Sequence, residues 1–133
     1  MRVVLDTNVF VSGIHWSGDS RKIIDAWTDD LFELVCSPDI IKELTRILKG
    51  FKKPLSDEFI VQFAQILLKD SVLTTPTAKL DVVKDDESDN RLIEAAVEGK
   101  ADYIVTQDNH LLKIGSYKGI IIVKPSEFLQ LVL

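Results

Sequence analysis

Asp6 closes the apolar run RVVLD, Glu43 lies in IIKEL, Asp89 in ESDNRL and Asp108 in VTQD. Three of these acids, Asp6, Asp89 and Asp108, fall where a parallel strand is expected to stop or the next helix to begin. In an open α/β sheet such positions converge on one crevice at the carboxyl ends of the strands. Carboxylates gathered there repel one another strongly unless cations neutralise them. Hard oxygen donors of this kind suit Mg²⁺ or Mn²⁺. The expected chemistry is metal-dependent, and two-metal attack on a phosphodiester is its leading form.

Each acid also has a plainer reading. Asp6, followed by Thr7 and Asn8, can simply cap the turn after its strand; Asn8 either supports the Asp6 carboxylate or only shapes that turn. Glu43 lies about 60° from Ile40 and about 40° from Ile47 on a helical wheel. That is the border of an apolar stripe, from which a carboxylate reaches either solvent or a cleft. The run Asp85-Asp86-Glu87-Ser88-Asp89 suits a helix start, with Ser88 or Asp89 as an ordinary N-cap. Capping needs one acid, however, and four stand within five positions. Asp89 is assigned the direct role and Asp86 the supporting one. Asp108-Asn109 can be a turn, but Thr106 stands on the same side of the strand, ready to orient a ligand or bind phosphate. What the separate readings leave unexplained is the placement of all four acids at one sheet edge.

The elements that must hold these residues alternate strand and helix. Strands are expected at 2–6, 32–36, 71–75, 103–106 and 119–123. Helices are expected at 19–30, from Ser37-Pro38 to Gly50, from Ser56 through Leu67, at 89–98, around 109–112 and at 126–131. Ser37 as cap with Pro38 at the first helical position is a strong start signal. Residues 7–18 read as a loop, and 76–84 as a connection. Strands separated by helices imply right-handed crossovers and a parallel sheet covered on both faces. The expected fold class is a three-layer α/β/α arrangement, Rossmann-like, with residues 1–133 forming a single domain.

Composition fits that frame. The chain has 133 residues, 46% of them apolar and 28% charged, with a net charge of −5. An acidic balance argues against a non-specific nucleic-acid coater. Cys36 is the only cysteine, so an internal disulfide and a cysteine-built zinc cluster are excluded; it is expected to be inert packing in a strand. The absence of a long apolar run or a cationic leader predicts a cytoplasmic protein. His15 and His110 are read as surface or local hydrogen-bonding residues. Basic residues gather at Lys42, Arg46, Lys49, Lys52 and Lys53, ordinarily a solvated face, but one that suits a nucleic-acid backbone led toward the acids. Arg46, Lys49 and Lys53 are the substrate-binding candidates. Trp16 and Trp27 are expected in the core or at a dimer contact, with base stacking a second reading for Trp16.

VVLDTNVFVSG, SPDIIKELTRIL, DESDNRLIEAAVEGKADYIVTQD and GIIIVKPSEFL together resemble a PIN domain, in order and over essentially the whole chain. LDTNV and ADYIVT-x-D are the specific pieces; the helix bearing Glu43 alone would be weak. The resemblance is strongest to single-domain prokaryotic PIN proteins of the VapC-like toxin type. It implies a Rossmann-like three-layer fold and a ribonuclease dependent on one or two Mg²⁺ or Mn²⁺ ions. Position by position, it assigns the catalytic and metal-binding acids to Asp6, Glu43, Asp89 and Asp108, with Asn8 and Thr106 as accessory polar residues. Asp86 also fits the pattern of the third acid. Gln107 departs from the glycine or basic residue common at its position, which affects loop shape more than chemistry. The partners implied are RNA, a cognate antitoxin and a second copy of the chain, with no membrane.

Other phosphoryl chemistries fit less well. A haloacid-dehalogenase-type enzyme needs a second Asp two residues after the first, where this chain has Asn8. A response-regulator receiver wants paired acids after its first strand, which offers Asp6 alone. The remaining rival belongs to another class: a regulatory module that binds RNA or protein with little or no catalysis.

Overall fold

The computed structural model describes residues 1–133 except Pro54 and Asp85. Among the described residues six strands run β1 (Arg2–Leu5), β2 (Glu33–Cys36), β3 (Val72–Leu73), β4 (Tyr103–Val105), β5 (Ser116–Tyr117) and β6 (Ile120–Val123). Between and after them lie α1 (Thr7–His15), α2 (Asp19–Thr28), α3 (Pro38–Gly50), α4 (Asp57–Asp70), α5 (Glu87–Glu98), α6 (Asn109–Leu112) and α7 (Pro125–Val132).

The strands form one sheet in the order β3-β2-β1-β4-β6-β5. All neighbours pair in parallel except β5 and β6, an antiparallel ribbon at one edge. Val3 and Val4 stand opposite Leu34 and Val35 on one side and Tyr103 and Ile104 on the other. Strands that bury both faces need continuously apolar residues, and Val3, Val4, Leu34, Val35, Ile104 and Val105 are all buried. Helices cover both faces, giving the three-layer α/β/α architecture: α5 packs across β1, β2 and β4, while α2 packs on α1 and α7.

The chain builds outward from β1 to β2 and β3, then returns to lay β4 on the other flank of β1. The gap between β1 and β4 is thus a topological switch point, where open α/β sheets place their ligand crevice.

Three elements depart from the sequence reading. Residues 7–15 form helix α1 rather than a loop. β5 is an unanticipated strand, so the sheet is not wholly parallel. α5 begins at Glu87, two residues earlier than expected, and its N-cap is Asp86, whose Oδ1 accepts the Asp89 N–H at 3.0 Å, rather than Ser88 or Asp89. Cys36 is buried on β2, and burial pushes its thiol up to about 12, which leaves it unreactive at neutral pH. Among the described residues, no helix is long and apolar enough to cross a membrane.

Candidate active site

Asp6 sits where β1 ends and α1 begins, and both of its carboxylate oxygens are engaged. Its Oδ1 accepts the Asn8 backbone N–H at 3.2 Å, the N-capping bond of α1, and a hydroxyl contact from Thr7 at 3.3 Å. Its Oδ2 accepts the Thr106 hydroxyl at 2.7 Å, across the switch point. Thr106 is fully buried at the end of β4, and its Oγ1 also accepts the Asp108 backbone N–H at 3.0 Å. One hydroxyl therefore sets both the first and the last acid. Asp108 in turn caps α6, accepting the His110 backbone N–H at 2.8 Å. Burial raises the Asp6 carboxyl above its ordinary range, its hydrogen bonds pull it back, and the Asp108 charge adds to the rise.

Asp89 faces the same crevice from the first turn of α5. It is 5% exposed, and its Oδ2 is buried without a hydrogen-bond donor among the described residues. Desolvation, followed by the charges of Asp108, Asp86 and Asp6, pushes its carboxyl up to about 8. A buried carboxylate oxygen with no donor and three acids nearby is costly unless a cation completes the arrangement. Asp86, Asp89, Asp108 and His110 each offer one donor atom, and the four atoms lie within 4.8 Å of one another.

Glu43 lies outside that quartet. On α3 its side chain is 22% exposed, the border position its helical wheel required. Its Oε1 accepts the Ser88 hydroxyl at 2.7 Å and stands 3.7 Å from the Arg46 guanidinium. Ser88 is the residue before Asp89, so Glu43 flanks the acids from the α3 side. A cleft of about 740 Å³ opens there, walled by Glu43, Lys42, Arg46 and Lys49 of α3, Lys79 of the connecting segment and Arg91 of α5. Lys53 is not part of this lining: its ammonium lies 5.3 Å over the Trp16 ring.

Two side chains of α5 keep the first turn in place. Asn90 accepts the backbone N–H groups of Val82 and Val83, each at 2.9 Å, and donates to the Val83 carbonyl at 2.8 Å. Arg91 contacts Glu94 at 3.0 Å, Glu87 at 2.5 Å and Asp39 of α3 at 3.7 Å. Neither was singled out in the sequence: the Asn90 bonds and the Arg91–Asp39 contact depend on the tertiary fold, although the Arg91 pairs with Glu87 and Glu94 stand at helical spacings within α5. His110 is the other residue the sequence reading set aside. Its only local signal was its place two residues after Asp108, and it is largely exposed, with Nδ1 at 3.8 Å from Asp108 Oδ1. His15 behaves as expected, its ring nitrogens facing the carbonyls of Val11 and Lys53.

A sequence profile described as the PIN domain matches residues 2–110. The chain belongs to the PIN domain family. No curated protein matches it. A chain in the crystal structure of VapBC2 from Rickettsia felis, bound to a DNA fragment from their promoter, has the same fold, with a TM-score of 0.63 at 17% identity. That match covers 93% of this chain and 98% of the other.

The acids of this PIN domain suit a divalent cation on chemical grounds. The donors near the orphaned Asp89 oxygen are mainly carboxylates, the set preferred by Mg²⁺ and Mn²⁺, and His110 adds a nitrogen compatible with Mn²⁺. Asp6 stands beside this group, its oxygens already bonded to Thr7, Asn8 and Thr106. Asn8 contributes to Asp6 through its backbone N–H, while its side chain borders the cleft containing Trp16.

Proposed function

We propose that residues 1–133 form one PIN nuclease domain that hydrolyses phosphodiester bonds in single-stranded RNA, using Mg²⁺ or Mn²⁺. The observation that carries this reading is the buried Asp89 oxygen, without a donor among the described residues, beside Asp108, Asp86 and Asp6 at the β1/β4 switch point. Asp89 and Asp108 are the residues to hold a cation directly, with Asp6 beside them and Glu43 closing the α3 side. A bound divalent cation supplies Lewis-acid activation of water and neutralises charge on the phosphate. The chain itself contributes positioning. Thr106 fixes Asp6 and Asp108 together, Asp86 fixes the first turn of α5, and Ser88 holds Glu43. Arg46 and Lys49 draw the RNA backbone along the α3 cleft. No side chain acts as a covalent nucleophile.

The same reading places the protein in the cytoplasm as a VapC-like toxin, with a cognate antitoxin as partner and a homodimer as its working form. For the dimer, the apolar stripe of α3 is spent on the protein's own core, through Ile40, Ile41, Leu44 and Leu48. The surface left for a second copy is on α4, where Phe59, Val61, Ile66 and Leu68 are exposed.

The decisive assay is cleavage of labelled single-stranded RNA with Mg²⁺, Mn²⁺ or EDTA, with Asp6→Asn alongside the wild type. Cleavage that requires the metal and disappears in Asp6→Asn, with its fold intact by circular dichroism, is the expected result. Full activity of a well-folded Asp6→Asn preparation would refute the assignment. Absence of wild-type cleavage on varied RNAs, without any rise in Tm on adding metal, would favour a binding role.

A further inference from the structure

A second cleft of about 420 Å³ borders Asp108. Asn8, Gln107 and Asp108 line it together with Trp16 and Phe51. Trp16 follows α1 directly and keeps 45% of its surface exposed, unusual for an indole with aromatic neighbours. Phe51 meets it edge-on, with ring centroids 5.7 Å apart, and the His15 ring lies 4.4 Å from Phe51. His15 also ties this corner to the chain at Lys53, through its Nε2 at 3.1 Å from the Lys53 carbonyl. The Lys53 ammonium completes the corner, 5.3 Å from the centroid of the Trp16 ring. An exposed indole with a cation at its face combines the two features that single-stranded nucleic-acid sites use: a stacking platform and a backbone charge.

We propose that this cleft is a nucleobase subsite: Trp16 stacks on the unpaired base adjacent to the phosphate held at the acids, and Lys53 engages the neighbouring phosphate. The subsite rests on the RNA-cleavage reading for its substrate class and deepens it by naming where the strand leaves the acids. Continuity supports the assignment, because Asp108 borders both the quartet of donors and this cleft. The path this subsite requires runs from the Lys42, Arg46 and Lys49 cleft across the acids and past Asn8 and Gln107 to Trp16. Stacking accepts any base, since every base has a π-face. Trp16 therefore confers affinity and register while leaving sequence choice to other groups.

The test uses the full chain with a short unstructured oligoribonucleotide, in EDTA and again with Ca²⁺, so that binding is read without cleavage. Trp27 is buried at 7% exposure, so emission that responds to RNA comes from Trp16. RNA should quench wild-type fluorescence and leave Trp16→Phe emission unchanged. Trp16→Ala should weaken binding by roughly 5- to 100-fold, the range of a single base–aromatic stack, and Trp16→Phe should recover most of it. A series of oligoribonucleotides carrying one abasic ribose at successive positions should show one position where wild-type binding falls by a similar factor. That position should cease to matter in Trp16→Ala. The subsite is overturned if RNA leaves the fluorescence unchanged in both conditions, or if Trp16→Ala binds intact and abasic RNA as the wild type does. Base-dependent quenching without wild-type cleavage in Mg²⁺ or Mn²⁺ would sink the nuclease reading and keep the subsite. Normal cleavage by Trp16→Ala, with kcat/KM unchanged on intact and abasic RNA, would do the reverse.

Discussion

Asp89 concentrates the energetics of the crevice in one carboxyl. An aspartate in an unfolded chain titrates near 3.9, whereas burial and three neighbouring acids push this one up to about 8. Between those values the folded state holds the proton more tightly than the unfolded chain does. The residue's contribution to stability is therefore fully present below about pH 4 and is lost as pH rises toward about 8. Without divalent metal, Tm should fall across that window. In Asp89→Asn the fall should be shallower, with the variant more stable than the wild type by about 1–3 kcal/mol at pH 8. Mg²⁺ or Mn²⁺ should raise the wild-type Tm, most strongly at the alkaline end, and should do little for Asp89→Asn. Thermal scans in EDTA and in metal check both statements, and an identical pH profile for the two proteins counts against them. The sequence showed that acids were in surplus before α5 and that Glu43 stood at the edge of its stripe. It did not show which acid caps the helix, because that depends on a boundary only the packed chain settles. Nor could it show Ser88 holding Glu43, a bond across 45 positions.

At the scale of elements, α1 is the instructive difference. TNVFVSGIH contains β-branched residues and a glycine, poor helix formers in isolation, and reads as a loop on local grounds. Tertiary contacts decide otherwise: Val9, Phe10 and Val11 are buried, and Asp6 caps the first turn. Gly13 is needed where α1 crosses α2, because a Cβ there would sit 2.5 Å from Ile24 and 2.8 Å from the Ser20 carbonyl. The helices from 38 to 70 were legible because serine caps and long apolar stripes announce them, as Ser37 and Ser56 do here. The segment 76–84 has no regular structure, and its anchorage falls to α5 through Asn90 and Glu94, which accepts the Leu80 N–H at 2.8 Å. Asn90→Ala should cost about 1–3 kcal/mol, the range for depriving partly buried groups of their partner. Urea titration measures that loss. Amide exchange should locate it, with protection falling at Val82 and Val83 before the strands are affected.

Taken whole, the molecule carries a net charge of −5, with Asp6, Asp86, Asp89 and Asp108 gathered at one crevice and cations lining the clefts beside it. Binding of single-stranded RNA should therefore depend on salt only moderately, through a few phosphate contacts. Each such contact contributes roughly −0.7 to the slope of log K against log salt. Lys49→Ala should weaken binding similarly across RNA sequences and make that slope shallower by about one such increment. An unchanged slope in a salt titration would remove Lys49 from the RNA path.

The bond between Asp6 and Thr106 joins residues 100 positions apart, and β4 must pair with β1 before it can form. Asp6 meets Thr7 and Asn8 at once but waits for the 100 positions that follow it before meeting Thr106. Closing so long a loop is slow and comes late. A nascent or truncated chain ending before β4 therefore has no crevice at all. The same crossover that gathers the acids leaves an unfinished copy with its carboxylates still apart.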